Sequence, residues 1–111
     1  MELDEFYETV TEIMHNVELI PLENGNSYTY LGPTSTKING EEFRAFLYEI
    51  SPNNQKRVTI NLVHSTYLET LRSKKNPSRA EVYTLFPLEL CSRPCNYTVA
   101  LFIVLRILEN N

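Results

Sequence analysis

The chain has no tryptophan, only three glycines, two histidines and two cysteines among its 111 residues. Each scarcity removes a class of chemistry. Three glycines leave little for backbone loops that cradle phosphates, and no Walker-type loop or dinucleotide fingerprint is present. The two histidines, His15 and His64, do not form a His-Glu-x-x-His pair, so a zinc-protease helix is excluded. Two cysteines are too few for a disulfide framework, and a reduced, cytoplasmic protein is expected. The first 36 residues contain no lysine or arginine at all. That acidic start lacks the basic-then-apolar order of a signal peptide, so the glycosylation-type triplet Asn96-Tyr97-Thr98 reads as chance. Long apolar runs are missing too. The longest, "TVALFIVLRIL" at residues 98–108, would rise about 16 Å as a helix, whereas a bilayer core needs about 20 apolar residues. No membrane span and no membrane partner are expected.

What remains is a globular composition, with 42% apolar and 22% charged residues, seven tyrosines and five phenylalanines. At this length a single domain over residues 1–111 can bury roughly two-thirds of its unfolded surface without metal or disulfide support. The net charge of -4 is unevenly placed. Residues 1–36 carry Glu2, Asp4, Glu5, Glu8, Glu12, Glu18 and Glu23 with no base, while the remaining 75 residues carry seven acids and ten bases. An acidic front end repels nucleic acid and suits a basic protein partner.

Residues 2–17 read as a helix, because Leu3, Phe6, Tyr7, Val10, Ile13, Met14 and Val17 fall on one stripe. Asp4, Glu8 and Glu12 line up four residues apart on another face. "PLENGNS" reads as a loop, "SYTYLG" as a short strand, and "GPTST" as the turn after it. "EEFRAFLYEIS" and "KRVTINLV" are expected to pair as a hairpin around "SPNNQ". Thr66 and Glu69 have capping-box spacing for a short helix over 67–75 with Leu68 and Leu71 facing inward. Residues 80–90 stay open between a helix capped by Ser78 and Glu81 and an edge strand marked by Pro87. The run 98–108 reads as a long central strand. Val99, Leu101, Ile103, Leu105 and Ile107 take one face, and Ala100, Phe102, Val104, Arg106 and Leu108 the other. The alternative, a helix apolar on every side, would demand burial all round. The fold expected is α+β: an N-terminal helix packed on a mostly antiparallel sheet of about five strands, with a short second helix. One or two helices rarely cover both faces of such a sheet, so the second apolar face must meet a loop, another helix or another protein molecule, and partner binding or dimerisation is expected.

Candidate chemistry is sparse. Cys91 and Cys95 flank "SRP", a spacing compatible with two small packing residues, a disulfide, or part of a metal site lacking two further ligands. His64-Ser65 has no nucleophile elbow around it, and Ser65 suits the start of the expected helix. Lys56, Arg57, Arg72, Lys74, Lys75 and Arg79 form basic clusters near Tyr67 and Tyr83; they read as solvated surface rather than a track for a nucleic-acid strand. No catalytic residue, cofactor or metal is assigned.

The segment "SYTYLGPTSTKI" resembles, through Tyr28, Leu31, Gly32, Ser35, Lys37 and Ile38, a segment of the staphylococcal uracil-DNA glycosylase inhibitor family. The resemblance implies a DNA mimic without catalysis of its own. Acidic groups would occupy the enzyme's DNA cleft, and an apolar pocket would hold the leucine that the enzyme inserts into DNA. Together these features predict a small acidic inhibitor of a basic-surfaced protein such as a DNA-processing enzyme. Asp4, Glu5, Glu8, Glu12, Glu18 and Glu23 are the expected contact residues. A homodimeric accessory protein is the alternative.

Overall fold

The computed structural model describes residues 2–110, apart from the side chains of residues 90–93. It is an α+β fold in which a helix, a four-stranded antiparallel sheet and three further helices follow in that order. Helix α1 spans Leu3–Ile13 and buries Phe6, Tyr7 and Val10 on the expected stripe, with Met14 buried just beyond its end. Strands β1 (Leu19–Pro21), β2 (Ser27–Ile38), β3 (Glu41–Ser51) and β4 (Asn54–Thr59) follow in a simple meander.

Two expectations about the sheet are corrected. "GPTST" does not turn the chain: β2 runs straight through it, accommodating Leu31 as a bulge beside Gly32, whose φ of 115° a residue with a Cβ rarely adopts. The reversal comes later, at Asn39-Gly40, where both residues take positive φ (51° and 83°), as a two-residue hairpin turn requires. The second correction concerns "KRVTINLV". Its first half is β4, paired with β3 from Ala45↔Thr59 to Ser51↔Asn54, but Thr59 ends the strand. The Thr59 hydroxyl accepts from the Leu62 backbone N–H at 3.1 Å, capping helix α2 (Ile60–Ser73) seven residues before the expected start. Thr66 is therefore helix interior, its hydroxyl donating to the Leu62 carbonyl at 2.8 Å, and Leu68 and Leu71 face outward. Lys74, left-handed at φ 58°, closes this helix.

Helix α3 (Arg79–Leu85) carries the reciprocal Ser78–Glu81 capping box. Replacing Ser78 by alanine should lower stability by about 1 kcal/mol, read as a shift of the urea midpoint with an unchanged slope. Pro87 does not mark an edge strand; it opens a 3-10 segment, Pro87–Ser92.

The largest correction concerns the C-terminal run. It is helix α4, Arg93–Glu109, and not a central strand, so among the described residues there are four strands in the sheet and four α-helices. One face of α4 buries Asn96, Val99, Ala100, Ile103, Val104 and Ile107, at a helical spacing that no strand reproduces. Those side chains join Phe6, Tyr7, Val10 and Met14 of the α1 region, Phe46, Tyr48 and Val58 of the sheet, and Ile60, Leu62 and Val63 of α2 in one hydrophobic cluster. The helices thus supply the cover that the expected fifth strand would have lacked. No helix among the described residues is long and apolar enough to cross a membrane.

Candidate functional site

The acidic face is set by how α1 is anchored. Tyr7 stacks on Phe46 with ring centroids 4.9 Å apart, and its hydroxyl donates to the carbonyls of Ala45 (2.9 Å) and Thr34 (3.2 Å). Phe6 packs on His64 (4.7 Å) and Tyr67 (5.4 Å) of α2. With Val10 and Met14 buried as well, the opposite side of the helix is fixed outward. Asp4, Glu5, Glu8 and Glu12 are all exposed there. A helix rises about 1.5 Å per residue, so Asp4, Glu8 and Glu12 stand about 6 Å apart in a row.

The six expected contact residues do not all meet. Asp4 lies 3.8 Å from the Arg44 guanidinium, which also sits over the Tyr7 ring at 5.3 Å. Glu5, Glu8 and Glu12 make no ion pair among the described residues. Glu18, also exposed, follows α1, and its carbonyl accepts from the Tyr30 N–H at 2.9 Å. Glu23 stands apart, in the β1–β2 loop beside α4. The row on α1 therefore comprises Asp4, Glu5, Glu8 and Glu12, while Glu18 and Glu23 lie outside the helix.

At the C-terminal end of this row lies an open concavity of about 380 Å³, which sequence inspection missed. Thr11, Met14, His15 and Val17 form one wall, and Tyr30, Leu31, Gly32 and Pro33 the other. The β2 bulge between Tyr30 and Gly32 lies in its second wall. Tyr30 has a buried hydroxyl with no hydrogen-bond partner among the described residues, and burial raises its pKa well above the ordinary tyrosine value, so it stays protonated.

His64 rests on Phe6, burial lowers its pKa, and no hydrogen bond joins it to Ser65 among the described residues. The Cys91 side chain lies outside the described residues. Cys95 is half-buried on α4, where its sulfur accepts from the Tyr28 hydroxyl at 3.6 Å. Burial, with that thiol alongside, pushes the Tyr28 pKa up to about 12. No group of three or more His, Cys, Asp or Glu among the described residues could hold a metal ion.

One buried acid was not singled out from sequence. Glu89, 7% exposed, accepts from the Thr59 N–H (2.9 Å), the Thr59 hydroxyl and the Asn96 side-chain amide (2.6 Å). Asn96 in turn donates to the Arg57 carbonyl at 3.0 Å and accepts from the Tyr48 hydroxyl. This network ties the 3-10 segment to the end of β4, the cap of α2 and the start of α4. Burial lifts the Glu89 carboxyl to about 7, against the downward pull of the Thr59 and Asn96 hydrogen bonds.

No family model, no curated protein and no solved structure matches the chain.

Proposed function

We propose that this protein is a small binding antagonist that meets a basic protein surface through the outward face of α1. The reading rests on one observation: a row of exposed carboxylates on a helix anchored from behind ends at a concavity of mixed polar and apolar lining, shared between that helix and β2. Like charges four residues apart weaken a helix by a few tenths of a kcal/mol per pair, and among the described residues only Asp4 of the row is offset by a base. A basic partner would relieve that repulsion, speed association and set orientation. The concavity is wide enough for one aliphatic side chain beside the charges. It is built partly from Leu31 and Gly32, within the segment that resembles the uracil-DNA glycosylase inhibitors. A DNA-processing enzyme, whose DNA cleft is basic and shaped for a row of anions, is the partner class this pairing fits best.

The test is uracil excision by uracil-DNA glycosylase, titrated with this protein at low and at high salt. Inhibition is expected, weakening as salt rises. The double substitution Glu8→Lys with Glu12→Lys should raise the half-inhibiting concentration about tenfold or more at low salt, since reversed rim charges act on association. Full excision at saturating protein would reject the glycosylase as target. Inhibition indifferent to salt and to both lysines would reject the acidic face.

A further inference from the structure

Glu89 holds down a short segment that little else secures. Helix α3 has seven residues, too few for a helix to persist once detached. Within residues 79–89 only Val82 and Glu89 are buried. Leu85 and Phe86 are half-buried, with the Phe86 ring edge-on to Phe43 at 5.5 Å. Packing behind the segment is incomplete: a cavity of about 10 Å³ is walled by Leu62, Val82, Phe86, Glu89 and Asn96. The hydrogen bonds from Thr59 and Asn96 to the Glu89 carboxyl are therefore a large part of what joins residues 79–89 to β4, α2 and α4.

We propose that residues 79–89 form a flap that opens as a unit while the rest of the fold stays closed, with Glu89 as its pH-sensitive latch. The latch is a carboxyl 7% exposed whose partners are all neutral. From β3 it is faced by Tyr48, whose hydroxyl is spent on Asn96. From β4 come Lys56 and Arg57, neither of them ion-paired among the described residues, and the Arg57 side chain is exposed. The first turn of α2, Ile60–Val63, is uncharged. Tyr83 of α3 and Tyr97 of α4 line the same cavity, and Cys95 of α4 lies near Tyr48. Within the flap, Arg79 sits over the Tyr97 ring and Glu81 caps at Ser78. The Arg93 side chain lies outside the described residues. With no base among the described residues to neutralise it, a charge on Glu89 is opposed by burial while the flap is shut and hydrated once it opens. The proton keeps the latch closed: a protonated carboxyl can donate to the Thr59 hydroxyl, which has a lone pair left beside the one used by the Leu62 N–H. The rise of the Glu89 pKa from 4.5 to about 7 agrees with this, so opening should become about tenfold more frequent per pH unit across that interval and level off above it. His64 rests on Phe6 of α1 and stays covered when the flap opens. The open flap bares Leu62, Val82 and Phe86, an apolar site closed in acid and available above neutral pH. The acidic row of α1 takes no part, so a flap that never opened would leave the proposed function untouched.

Native-state hydrogen exchange of the full chain, read amide by amide from about pH 5 to about pH 8 and corrected for intrinsic exchange, tests it. Two amides report the flap: Thr59, which donates to Glu89, and Val82, which donates to the Ser78 carbonyl at 3.0 Å. Both should exchange through an opening more frequent than that of the Phe46 and Tyr48 amides. That opening should steepen with pH as stated and barely respond to low urea, because little surface is exposed. Glu89→Gln should flatten the pH slope at both amides, whatever it does to the level. Val82→Ala should raise their exchange about tenfold or more at every pH and leave the slope alone. Thr59 and Val82 sharing the opening frequency and urea dependence of Phe46 would overturn the flap. A slope unchanged by Glu89→Gln would overturn the latch.

Discussion

Replacing Phe46 by alanine is expected to cost about 3–5 kcal/mol, the largest loss of any substitution considered for this fold. Phe46 is fully buried on β3, opposite Val58 on one neighbouring strand and Pro33 on the other. Its ring stacks on Tyr7 and lies 6.3 Å from the Tyr30 ring. The cost combines lost transfer energy with a cavity bounded by aromatic rings that cannot all close in. A domain of this size is stable by only about 5–15 kcal/mol in total, so the variant should unfold at markedly lower urea. The loss also reaches function. Tyr7 ties α1 to the sheet, and removing the surface it stacks on loosens the helix that carries Glu8 and Glu12. Phe46→Leu, which keeps most of the volume, should cost much less. If the alanine variant matched the parent's urea midpoint, the aromatic seat of α1 would not exist as described.

The second large effect is on pH. Glu89 titrates at about 7 in the folded protein, against an ordinary 4.5, because burial disfavours its charged form. The folded state therefore holds a proton that the unfolded chain has already released. Stability from this group is fully present below about pH 4.5, falls as pH rises, and is lost above about 7, a difference of about 3 kcal/mol. Glu69 and His64 shift the opposite way. Glu69, held below its ordinary value by a hydrogen bond from Arg72, titrates below the window in which Glu89 acts. His64, lowered from 6.5 by burial, adds stability as pH rises towards 6.5 and offsets part of the Glu89 decline, so the Glu89 contribution is read as the difference in slope between the parent and Glu89→Gln. Urea unfolding between pH 4.5 and 8 should show the decline in the parent, and Glu89→Gln should flatten it whatever it does to stability at one pH. An equal slope in both proteins would remove Glu89 as its source.

How much of this could be read from the residues depended on periodicity. The stripe of Phe6, Tyr7, Val10 and Met14 announces α1 because only one side of it is apolar. Ser78 and Glu81 announce α3 because a cap is a local device. The run 98–108 carries no such contrast: apolar on all sides, it satisfies a strand and a helix equally, and its valines and isoleucines favour the strand. Packing decided otherwise, since a helix can bury Val99, Ala100, Ile103, Val104 and Ile107 together and a strand cannot. The expected surplus apolar face of the sheet fell with that reading, because α4 packs in one cluster with the sheet residues Phe46, Tyr48 and Val58. In β2 the Gly32-Pro33 pair drew the turn away from Asn39-Gly40, the stronger hairpin signal of the two. Of the expected contact residues, those on α1 share a face because helix geometry fixes them. Glu23 does not join them, because a loop's position depends on contacts far away in sequence. Glu89 looked like any other acid, since nothing local reports that a side chain will be buried.

The architecture depends on the C-terminal run being a helix with one dry face and one wet face, and solvent paramagnetic relaxation of its methyl groups measures that directly. At a concentration low enough to keep the chain monomeric, a soluble paramagnetic agent should broaden the methyls of Leu101 and Leu105. Those of Ile103, Val104 and Ile107 should stay sharp. Leu101, Ile103, Leu105 and Ile107 responding alike, in a pattern of period two, would contradict the helix and every surface assigned to it.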